Sequence, residues 1–460
     1  MTLNLGHSKL IHANFDGGQI SSDGGLLLLR NADQQLELTE LAQFCFGDTR
    51  RPDLLRHSVL NMLRQRVYGI AAGYEDCNDA SKLRFDSMHR LAVGFKPSDG
   101  LILASQPTLS RWENSADFAG LDALQKLLVR IYINQRKKKP KVLKLAIDTT
   151  CDLVHGYQQL SFYNGFYKSY CFTPLFIFTE DGFPLAAFLR PGNAGKYDGT
   201  VQMLRPLVEE LRRTWPRVRI ELTADAAFAA PDIYNYCETN NVTYYIAIAG
   251  SAAIKSKSKN FVQDVKALFD EFPVEETSLS WRQKEERRRF ASKEQGRMQE
   301  KFEHEQLFVR KYTEFKHQSK EWPHARRIIC KVEFSSSEPD IRYVVTNSKY
   351  GRPNQVYEKY CQRAQCENWI KDLKNYLNCD RTSCQEFQAN QLRLLLHTFA
   401  YILLWKLRKQ AKLKNATVET VRLHLIKVGV LVKESVRRIS LKLASNHPWK
   451  DEFRLVWNSS

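Results

Sequence analysis

Cysteine is scarce in this chain: ten residues in 460, with no C-x2-C pair. A disulfide scaffold is thereby excluded. Cys361, Cys366, Cys379 and Cys384 do form two C-x4-C pairs. In a helix, however, five residues turn the axis by about 140°, a poor chelating geometry. Free thiols are expected, not zinc. Long hydrophobic runs are also lacking. The most apolar stretch, Leu392 to Trp405, is interrupted by Arg393 and His397 and falls short of the roughly 18 residues that a membrane span needs. Met1 to Leu10 lacks the charged start and apolar core of a signal peptide, so a cytoplasmic location and no membrane partner are expected. The glycine-rich turns Asp16-Gly17-Gly18 and Asp23-Gly24-Gly25 lack the Gly-Lys-Ser/Thr of a phosphate-binding loop. No nucleotide cofactor is expected, and no internal repeat is visible.

Acid is in the minority. Lys+Arg number 69 against 51 Asp+Glu, a net +18, with 43% hydrophobic and 11% aromatic residues. That composition builds cores and excludes wholesale disorder. Its charge points to a polyanion, nucleic acid before membrane. The charge is uneven: residues 281–331 hold 15 Lys/Arg against 8 Asp/Glu, and residues 385–460 hold 14 against 5. Both stretches are expected to grip a ligand.

Hydrophobic spacing divides the chain. Residues 1–135 read as mostly helical. Ser105-Gln106-Pro107-Thr108-Leu109-Ser110-Arg111-Trp112 has a cap residue, an early proline, and small polar residues with an arginine on its first turns, features of a recognition helix. The run 136–141 reads as a basic linker. From 141 the period shortens, and strands are expected at Val142–Asp148, Tyr170–Phe178, Pro184–Leu189, Val218–Ala224, Val242–Ala249 and Ile341–Thr346. Helices alternate with the later strands, which predicts a mixed sheet flanked by helices and hence an α+β multidomain protein. A long helix is predicted over about Tyr357–Leu377, further helices to about Lys412, and a basic tail with a β-like segment at Val436–Leu443.

Two aspartates end predicted strands: Asp148 in Ile147-Asp148-Thr149-Thr150, and Asp225 in Thr223-Ala224-Asp225. A carboxylate at the end of a buried strand is costly unless it is paired or binds metal. Each could equally cap a turn. The helix after 357 adds Tyr360, Arg363, Glu367 and Lys374, which fall within an arc of about 60° at 100° per residue. A solvated charged helix face would also produce this stripe. With the two aspartates it supplies a third acid and three phosphate-directed donors. Three carboxylates suffice for two Mg²⁺ or Mn²⁺ ions in phosphodiester cleavage.

The spacing Tyr360-x2-Arg363-x3-Glu367-x6-Lys374 resembles the YREK signature of insertion-sequence DDE transposases. The resemblance continues through Cys366-Glu367-Asn368-Trp369-Ile370-Lys371, Asp380-Arg381-Thr382-Ser383-Cys384, Ala389-Asn390-Gln391-Leu392-Arg393-Leu394 and Ala400-Tyr401. Upstream it includes Asp148-x-Thr150 with His155-Gly156, Tyr170-Cys171-x3-Leu175, Leu189-Arg190-Pro191-Gly192-Asn193 and Ala224-Asp225-x2-Phe228. Near the N-terminus it takes in Ser21-Ser22-Asp23-Gly24-Gly25, Gly73-Tyr74-Glu75-Asp76-x-Asn78-Asp79 and Leu109-Ser110-Arg111-x-Glu113-Asn114.

The resemblance implies an RNase H-like catalytic domain, with Asp148, Asp225 and Glu367 as both the catalytic and the metal-binding triad, two Mg²⁺ or Mn²⁺ per site. It implies a helical N-terminal DNA-binding region over 1–135 and a core in two parts, 141–250 and 341–384. Between them would lie a β-rich insertion over 251–340, and after them a basic, helical C-terminal region over 385–460. The activity implied is cut-and-paste transposition: binding terminal inverted repeats, cleaving the element ends and joining them to target DNA. The partners would be double-stranded DNA and, for synapsis, a second copy of the chain, in a bacterial, nucleoid-associated setting. Tyr360, Arg363 and Lys374 would contact phosphates. Trp322, with Arg326 and Arg327, would stack on an unpaired base and hold its backbone, as hairpin-forming relatives require; a core Trp is the competing reading. Ser110 and Arg111 would contact DNA from the recognition helix. The chain departs from the pattern around Asp225, where Thr223-Ala224-Asp225-Ala226-Ala227-Phe228 replaces the expected Arg-Ala-Asp-Ser-Gly-Phe, and at Ala146, where relatives often carry another Asp. The altered flank leaves open a second function, a decayed or domesticated transposase acting as a DNA-binding repressor.

Overall fold

The computed structural model describes residues 1–3, 9–48, 50–51, 53, 55–271, 308–335 and 339–459. The basic run at 281–307 and much of the expected insertion therefore lie outside the described residues. An eight-stranded mixed sheet organises the molecule. Its strands are β1 (Val142–Thr149), β2 (Leu175–Thr179), β3 (Pro184–Phe188), β4 (Arg219–Ala224), β5 (Val242–Ile248), β6 (Val309–His317), β7 (Arg326–Phe334) and β8 (Asp340–Thr346), in the spatial order β6-β7-β8-β5-β4-β1-β2-β3. β1, β4 and β5 run parallel, while β2, β3, β8, β7 and β6 join as antiparallel neighbours. β2 reads Leu-Phe-Ile-Phe-Thr and is buried throughout, as a strand covered on both faces should be. The expected strand Tyr170–Phe178 is instead two, Ser169–Phe172 and β2. Pro174 separates them, since it has no N–H for a ladder.

Parallel pairing decides where the acids go. Ala224 of β4 pairs with Ile147 of β1, so Asp148 and Asp225 follow at the same edge of adjacent strands. The return from β3 to β4 is the amphipathic helix Thr200–Thr214, and that from β4 to β5 is Pro231–Thr239. Strands β6 and β7, expected in a separate insertion, hydrogen-bond onto β8 and extend this same sheet.

The stretch too polar for a membrane forms the centre of the helical half. Phe387–Gln410 is a 24-residue helix, and Leu392 to Trp405 is buried along its whole length, Arg393 and His397 included. Among the described residues no helix is long and apolar enough to cross a membrane. N-terminal helices, chiefly Leu26–Leu36, Val59–Ala71 and Phe118–Asn134, pack around it. The two ends of the chain are knitted together: Ile20–Ser21 pairs with Val430–Ser435, which pairs in turn with Arg438–Leu443. Gly24 and Gly25 permit this approach, because a Cβ on Gly25 would sit 1.7 Å from the Leu425 carbonyl oxygen. Asp23 beside them is buried between His89 Nε2 at 3.0 Å, Lys427 Nζ at 2.8 Å and the Tyr74 hydroxyl at 2.9 Å. Burial alone would raise its pKa, but the His89 hydrogen bond and the Lys427 charge prevail and hold it at about 2.

Candidate active site

The predicted single helix over 357–377 is broken in three. Pro353–Cys361 and Ala364–Lys371 are α-helical, and Asp372–Tyr376 is a π-turn, a local widening that recurs at functional sites. The uniform stripe of Tyr360, Arg363, Glu367 and Lys374 therefore does not form. Tyr360 is buried with Tyr245, Ile329, Val344, Val356 and Tyr357. Arg363 falls at the break and turns towards the sheet edge.

That turn brings the three acids to one cavity of about 350 Å³, lined by Asp148, Thr149, Thr150, Asp225, Arg363, Glu367, Ile370, Lys371, Lys374 and Asn375. Asp148 is buried at 8% exposure; one carboxylate oxygen accepts from the Thr149 amide at 2.9 Å and the other from Arg363 Nη2 at 3.3 Å. Asp225 accepts from the Ala227 amide at 2.9 Å and so caps the turn Ala226–Phe228. The capping expected of a strand-end aspartate is thus real, and it leaves the other carboxylate oxygen uncapped. Glu367 is exposed, with Oε1 3.5 Å from Arg363 Nη2. One guanidinium therefore bridges Asp148 and Glu367, while its Nε is buried without a hydrogen-bond partner.

Electrostatics concentrate on Asp148. Burial raises its pKa, Arg363 opposes, and the neighbouring charges of Asp225 and Glu367 raise it further, to about 6. Burial works against the Arg363 charge, yet Asp148 and the other acids hold its pKa above the ordinary value. Among the described residues no three His, Cys, Asp or Glu side chains converge closely enough to hold one ion as they stand; Arg363 lies between two of the three acids. The four cysteines of the C-x4-C pairs are likewise free thiols.

Lys374 lines the cavity but is already engaged. Its Nζ donates to the Cys151 carbonyl and to Thr150 Oγ1 at 3.3 Å, and lies 3.6 Å from Asp152 Oδ1 and 3.7 Å from Asp380 Oδ2.

Other expected contacts fall elsewhere. Trp322 is only 6% exposed, with its ring edge-on to Tyr234 and His317 and under the Arg326 guanidinium. Arg326 is buried and donates to both Glu238 oxygens and to Asn235. Arg327 serves Glu314 and the carbonyls of Ser348, Tyr350 and Gly351. Apolar burial and internal ion pairing engage these groups inside the sheet region. In the expected recognition helix, Gln106–Glu113, Arg111 is exposed and Ser110 half-buried. Its motif partner Glu113 points inward, fully buried between Arg66 Nε at 2.6 Å and Arg393 Nε at 2.8 Å. His155, part of the motif after Asp148, is exposed.

Several residues that were given no individual role from the sequence matter to the architecture. Arg190 donates to the carbonyls of Thr173, Gly195, Lys196 and Asp198. A Cβ at Gly192 would meet the Cys171 carbonyl oxygen at 2.2 Å. Asp152, four residues beyond Asp148, is wholly buried; its only sequence signal is a carboxylate among Cys151, Leu153 and Val154.

Two acids at the ends of adjacent parallel strands and a third acid on a packed helix thus line one cavity. The chain belongs to the family described as Transposase DDE domain group 1, whose model matches residues 3–459. Membership implies an enzyme that cuts and joins DNA strands, in a family that generally uses divalent metal ions. No curated protein matches the sequence. Among solved structures, the piggyBac transposase in a synaptic complex with hairpin DNA is similar at a TM-score of 0.41 and 10% identity, over 87% of this chain and 78% of that one.

Proposed function

We propose that this transposase carries out cut-and-paste transposition of an insertion sequence: it binds the terminal inverted repeats, cleaves the ends and joins them to target DNA. The observation that carries the reading is the shared cavity of Asp148, Asp225 and Glu367. The sheet order β3-β2-β1-β4-β5 supports an RNase H-like core, with 1–135 and 385–460 as DNA-binding regions around it.

Asp148, Asp225 and Glu367 offer hard carboxylate oxygens, the donor set that suits Mg²⁺ or Mn²⁺. The pKa of Asp148 is raised by burial first and then by the charges of Asp225 and Glu367, and a cation among these acids would relieve both. Two such ions, when bound, supply Lewis acidity to the attacking and leaving oxygens of phosphodiester cleavage. Arg363 now neutralises Asp148 and Glu367. With a cation on those oxygens its guanidinium is free to turn to a DNA phosphate, for which its planar donors are suited. Lys374 presents a second cation at the cavity wall, and buried Tyr360 supports the helix that carries Arg363. Synapsis of two ends requires at least two copies of the chain.

Asp148→Asn, Asp225→Asn and Glu367→Gln should each abolish cleavage of a duplex made from the DNA flanking this gene while binding persists. Cleavage by Glu367→Gln in Mg²⁺ at the unmodified rate would refute the triad. One observation favours a second reading, a DNA-binding repressor. The position where the resemblance expects an Arg beside Asp225 holds Thr223, which is buried and donates to the Leu145 carbonyl at 3.1 Å. That reading requires an unmodified protein that binds the flanking repeats and never nicks them.

A further inference from the structure

The cavity has a buried charge behind it that the proposed chemistry does not use. Asp152 opens the short strand Asp152–Leu153 and is 0% exposed. Neither of its carboxylate oxygens has a hydrogen-bond partner. A buried carboxylate in that condition is costly unless a cation compensates it. Lys374 is the one cation acting on it, with Nζ 3.6 Å from Oδ1, and pulls its pKa down, but burial prevails and pushes it up to about 8. The other titratable groups acting on Asp152 and Lys374 are Asp380, Cys151, Cys171 and Cys379, and none is a cation.

The contact joins two parts of the site. Asp152 sits on the segment that leaves the Asp148 strand, and Lys374 lies on the π-turn that follows the Glu367 helix. Thr150 Oγ1 and the Cys151 carbonyl hold the ammonium from the same segment. A free lysine is a mobile point charge on a four-carbon stem. This one, on leaving, takes away the cation that lets Asp152 ionise at all.

We propose that Asp152 is a positioning residue that anchors the Lys374 ammonium at the wall of the acid cavity, so that an incoming DNA phosphate meets a fixed cation. The proposal rests on the reading of Lys374 as a phosphate contact. Anchoring acts on the bound complex, so it affects the rate at saturating DNA more than affinity, because small misplacements of a catalytic group are expensive.

The test is a double-mutant cycle in the full-length protein, using Mg²⁺ and a labelled duplex made from the DNA flanking the gene. At pH 9, above the raised pKa of Asp152, Lys374→Ala should slow cleavage and lower the melting temperature, since it removes the cation opposite that carboxylate. Asp152→Asn should slow cleavage at saturating DNA by about tenfold to a hundredfold, with affinity little changed. The double variant should melt above Lys374→Ala yet cleave no more slowly than it does. That combination, recovered stability without recovered activity, is one that a merely structural tie does not give. Should Asp152→Asn fold poorly, the comparison of Lys374→Ala with the double variant still decides through stability and rate together. Losses that multiply in the double variant, or an Asp152→Asn protein that cleaves normally while Lys374→Ala does not, overturn the anchor alone. A Lys374→Ala protein that cleaves normally overturns the phosphate-contact reading and the anchor with it.

Discussion

Asp148→Asn should remove activity and add stability. The Asp148 carboxyl is buried beside two other acids, and its pKa rises from 3.8 to about 6, chiefly through burial and then through the charges of Asp225 and Glu367, against the pull of Arg363. A group whose pKa is raised on folding binds its proton more tightly in the folded state. At pH 4 and below, the proton is present in both states and the site carries no penalty. Between about 4 and 6 the unfolded chain ionises first, so this group erodes stability as pH rises. Above about 6 the full penalty remains, about 3 kcal/mol, since each tenfold gain in proton affinity on folding is worth about 1.4 kcal/mol. Asparagine mimics the neutral carboxyl and removes the penalty. At roughly 2 cal/mol/K of unfolding entropy per residue, the gain is about 3 °C in a chain of this length. The assay is thermal melting of wild type and Asp148→Asn from pH 4 to pH 8 without divalent ions, with cleavage measured in parallel. The difference in melting temperature should grow from near zero at pH 4 to its full value above pH 6. Addition of Mg²⁺ should then raise the wild-type value more than that of the variant. An Asp148→Asn protein that melts lower than wild type at pH 7, or a difference independent of pH, would refute the reasoning.

The remaining expectations concern the frame around the cavity. Burial tends to raise the Glu113 pKa, but the charges of Arg66 and Arg393 prevail and hold it at about 2. Glu113→Ala leaves two buried guanidiniums unpaired and should cost about 3–5 kcal/mol by chemical denaturation at pH 7. Because the folded pKa is depressed, the contribution is present above the ordinary carboxylate pKa and is lost as pH falls towards 2; a change under 1 kcal/mol would count against a structural lock. Gly25→Ala forces a Cβ onto the backbone at Leu425 and Ile426, so soluble yield and protection of amides 20–26 from hydrogen exchange should fall together. Normal protection would contradict the close approach. Trp322→Ala should lower stability by about 3–5 kcal/mol, with affinity for unpaired DNA unchanged in the fraction that remains folded. A selective loss of that affinity at unchanged stability would restore the stacking role.

Part of this architecture was legible in the sequence. β1 and β4 announce themselves as short apolar runs, and the acids that follow them sit where a parallel sheet brings strand ends together. The YREK spacing was informative for Arg363 and Glu367 because they lie one helical turn apart, a separation too short for the break to disturb. Lys374 also lines the cavity and Tyr360 is buried, but neither is placed by the regular geometry that the spacing assumed. A uniform 100° per residue assumes an unbroken helix, and the break before Ala364 and the π-turn at Asp372 each reset the phase. Neither is marked by proline or glycine, so tertiary packing alone decides them. For Trp322 and Arg326 the burial was illegible for a different reason. Basic residues beside an aromatic look the same on paper whether the cations face a ligand or Glu238.

The charge of the C-terminal region illustrates the same difficulty on a larger scale. Its excess of cations suggested a clamp on DNA, yet several of them are consumed internally. Arg393 serves Glu113, Arg408 lies against Asp372, Arg422 bonds Glu419 and the carbonyls of Ala71 and Tyr376, and Lys427 pairs with Asp23. Arg393 and Lys427 bind the helical half to itself, while Arg408 and Arg422 also tie it to the π-turn after the Glu367 helix. The cations left exposed include Lys433, Arg437, Arg438 and Lys442 on the hairpin Val430–Leu443, and Lys450 beyond it. Counterions are released only by cations that meet phosphates, so the salt dependence of the proposed DNA binding follows exposed cations such as these, not the net +18. The same hairpin pairs with Ile20–Ser21 beside the Asp23 network. Phosphates gripped there would pull on the joint between the two ends of the chain, and its buried ion pairs give that joint the means to resist.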